Sequence, residues 1–351
     1  MDRTRSLARL ALALTGIALS ACAALPWPSG STRATGVLGG EALIDLRGVV
    51  HVHTRVSHDS HGSIGEIIDA AHGAGVDFVA FTEHTRGATL APASGEVEGV
   101  ILIPGWELGV PGGSLLALGI ADRADLPREP RALVEAIHAR GGAAFVGHLE
   151  RSELSDPARY ALASPDGIEI ANLHANAGEV RIRLALGELF LPAPLALRVL
   201  LRTPDANLER WAKLPEARAV VGGVDAHAKF RALGPLGGTL DRYRDLFRLL
   251  TTHVLVRERS APAILEALRA GRSYVAFEGL APVERFEVTR EADGVRVRAP
   301  REARLALVCA GAVASEAEAS EALLATDGDT ARCHVEAWLD DDLWIVTSRL
   351  E

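Results

Sequence analysis

Gly48-Val-Val-His51-Val-His53 closes an apolar, β-branched run with two histidines one residue apart. Side chains alternate along a strand, so two imidazoles at this spacing face the same way, about 6–7 Å apart along the chain. That suits two ligands of one divalent ion, neutral imidazole being a common donor to such metals. Four further segments end in the same kind of residue. Phe81-Thr-Glu-His84 offers His84, and Ile103-Pro-Gly-Trp-Glu107 offers Glu107. Phe145-Val-Gly-His148 offers His148, and Val221-Gly-Gly-Val-Asp225-Ala-His227 offers Asp225 and His227.

These residues sit at the ends of expected strands. From about residue 42 to 278, strand-like and helix-like segments alternate: Ala42–Thr54, a helix from about Ser63 to Gly75, Phe78–Thr82, Val100–Ile103 and Ser114–Ile120. A helix over Pro130–Arg140 follows, then strands Ala143–Val146 and Gly167–Ile170, and a mostly helical stretch over 180–218. Strand Ala219–Val221, helix Arg242–Leu250, strand His253–Val256 and helix Ala261–Ala270 complete the alternation. Ser63 is a candidate N-cap, with Glu66 three residues on to complete a capping box. Such alternation indicates a parallel α/β architecture, and there the carboxyl ends of the strands gather on one face. After about residue 280 only short alternating stretches remain, with a hairpin turn at Glu291-Ala-Asp-Gly294, which reads as a small antiparallel β unit.

In order and rough spacing, the HxH of His51 and His53, the Thr-Glu-His of His84, the Pro-Gly-x-Glu of Glu107, the Gly-His of His148 and the Asp-x-His of Asp225 and His227 resemble the PHP (polymerase and histidinol phosphatase) family over about residues 45–275. The resemblance implies a distorted (β/α)7 barrel over 42–279, followed by a small β-sandwich-like domain over 280–351. It implies a metal-dependent phosphoesterase carrying two or three divalent ions (Zn, Mn or Fe), with His51, His53, His84, Glu107, His148, Asp225 and His227 as ligands. A further ligand belongs five or six residues past His53, where both His58 and Asp59 fall; Asp59 is favoured because Ser-x-Asp resembles the commoner carboxylate form. Where many members place another histidine, Ser114 or a neighbour stands here, which makes a two-metal site the more credible; His174 either supplies the missing imidazole or is a loop histidine bonded to backbone. Glu107 would bridge the ions and Asp225 would ligate and take a proton, while a water ionised by the metals attacks phosphorus.

Arg55, Arg86 and Lys229 each follow a ligand segment closely, and are either phosphate contacts or salt-bridged rim residues. His61, His72, His138, His253 and His334 read as structural or exposed. No Gly-x-x-x-x-Gly-Lys loop and no Gly-x-Ser-x-Gly elbow occurs. Two other readings share the residues: a hydrolase of C–N or C–O bonds on the same scaffold, and a catalytically silent metal-binding envelope lipoprotein.

The 351 residues have room for one large domain plus a small one, and the formal net charge of −9 argues against a nucleic-acid surface. It does not exclude a small phosphorylated substrate, since bound cations reverse the local field. Arg3, Arg5 and Arg9 precede the apolar run Leu10–Leu19, followed by Ser20-Ala21-Cys22. That reads as an export signal over 1–22 and is too short for a comfortable membrane span. Leu19-Ser-Ala-Cys22 resembles the bacterial lipobox, which implies lipidation at Cys22, a membrane anchor, and a periplasmic or outer-face location on the cell envelope. Residues 23–41, rich in Pro, Gly and Ser, read as a flexible tether. Cys309 and Cys333 could pair in an oxidising compartment or stand unpaired in a β core.

Overall fold

The computed structural model describes residues 35–38, 41–84, 91, 94–174, 200–228, 242–326, 328 and 330–350. Its strands, in chain order, are β1 (Thr35–Leu38), β2 (Glu41–Val52), β3 (Phe78–Phe81), β4 (Glu83–His84), β5 (Gly95–Val97) and β6 (Val100–Ile103). They continue with β7 (Gly105–Val110), β8 (Gly113–Leu118), β9 (Ala143–Gly147), β10 (Gly167–Asn172), β11 (Ala219–Ala226) and β12 (Thr251–Val256). The remainder are β13 (Ser273–Ala276), β14 (Glu287–Glu291), β15 (Gly294–Cys309), β16 (Ala312–Ala325), β17 (Cys333–Leu339) and β18 (Asp342–Thr347). Among the described residues no helix is long and apolar enough to cross a membrane. The amino-terminal signal and Cys22 lie outside the described residues, as does most of the 23–41 stretch.

Nine of the first eleven strands, all but β1 and β5, pair in a circuit. β2 runs parallel to β3, and the successive β3 and β4 run parallel to the successive β6 and β7. β7, β8 and β9 are joined antiparallel, then β9, β10 and β11 parallel, and β11 returns parallel to β2. The expected strand–helix alternation fails at two connections. A two-residue turn joins β7 to β8, and β5 folds back antiparallel on β6. An antiparallel pair can be closed by a short turn, whereas a parallel pair requires a crossover.

The strand sequences are near-continuous apolar runs because both faces are buried. Val50, Phe78, Ala80, Ile101, Ile103, Leu116, Phe145 and Val221 share one cluster with the apolar side of helix Ala261–Arg269. The alternate residues, Val49, Val79, Leu102, Ala117, Ala144, Val146 and Val220, pack in another cluster with helices Ile64–Ala74 and Pro130–Ala139. Helix Ile64–Ala74 begins with the expected Ser63–Glu66 capping box and ends on Gly75, whose φ of 66° a side chain would resist.

The carboxy-terminal strands form an antiparallel extension hydrogen-bonded to the first unit. β12 pairs with the start of β2, β13 with β12, and β18 with β13; β17 and β15 continue the ladder outward. β15 also pairs with β14 and β16. Cys309 and Cys333 face each other across β15 and β17 and form a disulfide.

Candidate metal centre

His51 in β2 and His53 just past its end do not reach one place by simple alternation. β2 shifts register between Val50 and Val52 against β3, and His51 at the shift has a φ of 65°. This bulge re-aims the ring so that His51 and His53 stand with centroids 5.1 Å apart. His148, just past β9, and Asp225, at the end of β11, also take left-handed conformations, with φ of 46° and 48°. Each costs roughly 1–2 kcal/mol outside glycine, and such strain collects where side chains must be aimed for function.

The structure brings His51, His53, Asp59, His84, Glu107, His148, Asp225 and His227 into one cluster. Three overlapping donor groups recur in it: His53–His84–His227, His51–His53–Glu107 and His51–His148–Asp225, each with its donor atoms within 4.8 Å of one another. Glu107 touches all three. Its Oε2 is 3.4 Å from His51 Nε2, 3.4 Å from His84 Nδ1 and 3.9 Å from His53 Nε2, and its Oε1 is 3.3 Å from His148 Nε2. Asp225 Oδ1 lies 3.4 Å from His53 Nε2 and 3.6 Å from His51 Nε2. Asp59 spans His84 Nε2 at 3.5 Å and His227 Nε2 at 3.4 Å.

Most of these separations exceed those of charge-assisted hydrogen bonds. Donors each about 2.1 Å from one cation, at tetrahedral or octahedral angles, stand about 3.0–3.4 Å apart, so the spacing fits shared ions. The buried Nε2 atoms of His53 and His227 have no hydrogen-bond partner among the described residues. An unpaired polar atom in the interior is costly, and a cation beside each would satisfy it.

A layer behind the cluster sets which nitrogen points inward. His51 Nδ1 donates to Glu169 at 2.6 Å, and Glu169 also accepts from the His148 backbone N–H at 2.8 Å and from Asn172 at 3.1 Å. His53 Nδ1 donates to Ser57 Oγ, which accepts the His84 N–H and donates to the buried Glu83. His227 Nδ1 donates to the Asp225 carbonyl at 2.9 Å. Each bond leaves Nε2 with its lone pair toward the cluster. Glu169 is the residue that sequence reasoning passed over. The signal was there: a carboxylate inside the otherwise apolar strand Gly167–Ile170. Gly223 makes room for it, because a Cβ there would stand 1.7 Å from Glu169 Oε1.

Charge follows from this packing. Burial pushes the His53 imidazole down to about 3, against its contact with Asp225 and reinforced by the neighbouring His227 and His51 rings, so it is neutral near pH 7 and ready to ligate. Burial works against charging His148, yet the carboxylates of Glu107 and Glu150 beside it outweigh that and raise it to about 10. Burial alone would raise the Glu107 and Asp225 carboxyls, but surrounding histidines hold both below the ordinary carboxylate range.

The cluster is buried at His51, His53, Asp225 and His227 and opens toward Asp59, His84 and His148. His58 is exposed, its ring centroid 5.3 Å from that of His84. The ring of His174 lies 5.4 Å from that of His227, beside the cluster. Ser114 is opposite Gly147 in the β8–β9 pairing, next to His148. Arg55 is exposed, and its charge adds slightly to the Ser63 hydrogen bonds that lower the Glu66 carboxyl. Arg86 and Lys229 lie outside the described residues.

No family model matches the chain, and no curated protein does. Among solved structures it is similar to a two-domain protein containing a predicted PHP-like metal-dependent phosphoesterase from Bacteroides vulgatus, with 20% identity over 92% of each chain and a TM-score of 0.43.

Proposed function

We propose that the protein is a metal-dependent phosphoesterase. The observation that carries this reading is the convergence, from separate strand ends, of three overlapping donor groups of imidazoles and carboxylates around Glu107, whose carboxylate contacts a member of each. His51, His53, Asp59, His84, Glu107, His148, Asp225 and His227 would hold two or three divalent ions. When bound, such ions supply Lewis acidity toward phosphoryl oxygens and a water ionised near neutral pH.

The chain's own residues do the rest. Glu107 spans the cluster and keeps its parts at fixed separation. Asp225 stands beside His51, His53 and His148, within reach of a proton released in the centre. Glu169, Ser57 and the Asp225 carbonyl hold the imidazoles in one tautomer. The partly exposed Asp59, His84 and His148 mark the side from which an ester enters.

The scaffold we propose is a distorted (β/α)7 barrel over 42–279 with a β-sandwich-like unit over 280–351, a reading supported by the closed circuit of pairings and the antiparallel extension. We also propose that the chain is exported and lipid-anchored through Cys22. The Cys309–Cys333 disulfide supports an oxidising compartment.

Metal analysis together with turnover of a generic aryl phosphate tests the function. Bound metal with phosphate release supports it. Bound metal with hydrolysis of a C–N or C–O bond instead favours the alternative hydrolase, and absence of metal favours a silent envelope protein.

A further inference from the structure

A pocket of about 330 Å³ lies against the metal centre, between β10, the turn after β9 and the start of helix Asp205–Ala212. It adjoins the cluster at two points. Glu150 Oε1 is 3.4 Å from His148 Nδ1, and Asn172 donates to Glu169, the partner of His51. The volume is that of a small-molecule site. Phe277 and Leu173 give it an apolar wall, and Asn207, bonded to the Ile170 carbonyl, fixes the helix against β10.

Its charge is distinctive. Among the described lining residues the carboxylates of Glu150 and Asp205 face one guanidinium, Arg202, while the exposed Arg151 reaches Glu150 from outside with its Nε 3.4 Å from Oε1. Glu150 Oε1 is buried, with His148 Nδ1 and Arg151 Nε each 3.4 Å away. The helix end that opens on the pocket carries Asp205 as its first residue, so the positive end of the helix dipole is already met by a negative charge. A second phosphate or a carboxylate in the pocket would lie against these two carboxylates, with Arg202 the one lining cation among the described residues. Hydroxyl and ammonium groups would find acceptors.

Resting on the phosphoester reading, we propose that this pocket receives the alcohol part of the substrate, and that it selects a donor-rich, non-anionic tail bearing hydroxyl or ammonium groups over a tail bearing a second anion. The phosphoryl group then lies at the metal centre and the tail extends past His148 and Asn172.

Three non-hydrolysable phosphonates of equal length separate the cases: 3-hydroxypropylphosphonate, 3-aminopropylphosphonate and 3-phosphonopropionate. Titrated by calorimetry into the zinc-loaded protein, at least one of the first two should bind about tenfold or more tightly than the carboxylate, since like-charge juxtaposition is strongly disfavoured. Whichever binds tighter says whether hydroxyl or ammonium is preferred. Asp205→Asn and Glu150→Gln should each shrink the ratio. Equal or tighter binding of 3-phosphonopropionate, no binding of any probe, or a ratio unmoved by both substitutions would overturn the proposal. Phosphate release from the corresponding esters is followed separately. Selective binding without release keeps the pocket and removes the phosphoesterase reading, whereas release without selectivity does the reverse.

Discussion

Glu169 Oε1 accepts a hydrogen bond from His51 Nδ1 at 2.6 Å, with both side chains buried. The same carboxylate holds the backbone of His148, so one residue on β10 positions donors from β2 and from the end of β9. Glu169→Gln should lower metal affinity about 10–100-fold, as loss of such supporting contacts does, with the circular-dichroism spectrum unchanged. Gly223→Ala should act in the same direction, because its methyl group would occupy the space of the carboxylate. Competition against a chromogenic chelator measures both, and wild-type affinity in Glu169→Gln would refute the role.

His51→Ala and Asp225→Asn should abolish phosphoester turnover and reduce bound metal, because each residue belongs to more than one contact of the cluster. Elemental analysis alongside the rate provides the check; an unchanged rate in either variant would count against the assignment.

Metal removal should destabilise the fold. A ligand held at 100 times its Kd adds about 2.7 kcal/mol, which for a chain of this size corresponds to a fall of about 4 °C in Tm on chelation. Differential scanning calorimetry with and without chelator, followed by re-addition of metal, tests it; identical melting curves would mean that the donors hold nothing.

A buried histidine outside the centre gives a further pH dependence. His253 Nδ1 lies 2.9 Å from Asp45 and its Nε2 3.3 Å from Glu278, with Arg47 Nε 3.0 Å from the same Glu278 oxygen. Burial opposes charging of His253, but Asp45 and Glu278 outweigh it and raise the group. A folded-state value above the unfolded one means that the proton stabilises the native protein. The contribution is complete below about pH 6.5 and is lost as pH rises through the raised native value. Denaturant unfolding of the metal-loaded protein should therefore show stability declining above neutrality, and His253→Gln should flatten that decline.

Cys22→Ser should release the exported protein from membranes into the soluble fraction. Membrane association that persists in the variant would refute lipid anchoring.

Much of the candidate centre was readable in the one-dimensional pattern, because parallel strands buried on both faces spell themselves as apolar runs and their ends stand out as the first polar residues. Ala312–Ala325 was not. It is mostly alanine and glutamate, residues of low strand propensity, yet it forms β16 because β15 offers a ladder along its length and its exposure then follows the strand alternation. β8 was expected, but its antiparallel setting on both sides was not, since a run of leucines carries no direction.

The donor types, their spacing and their position after strands are properties of the amino-acid sequence and needed nothing else. Folding decided what depends on distant partners: that a bulge rather than plain alternation aims His51, that Asp59 and not His58 spans His84 and His227, that Glu169 stands behind the cluster in space left by Gly223, and that Cys309 meets Cys333. Hydrogen bonds and ligand geometry act over a few ångströms in space, and residues more than a hundred positions apart come within that range only when the strands pair.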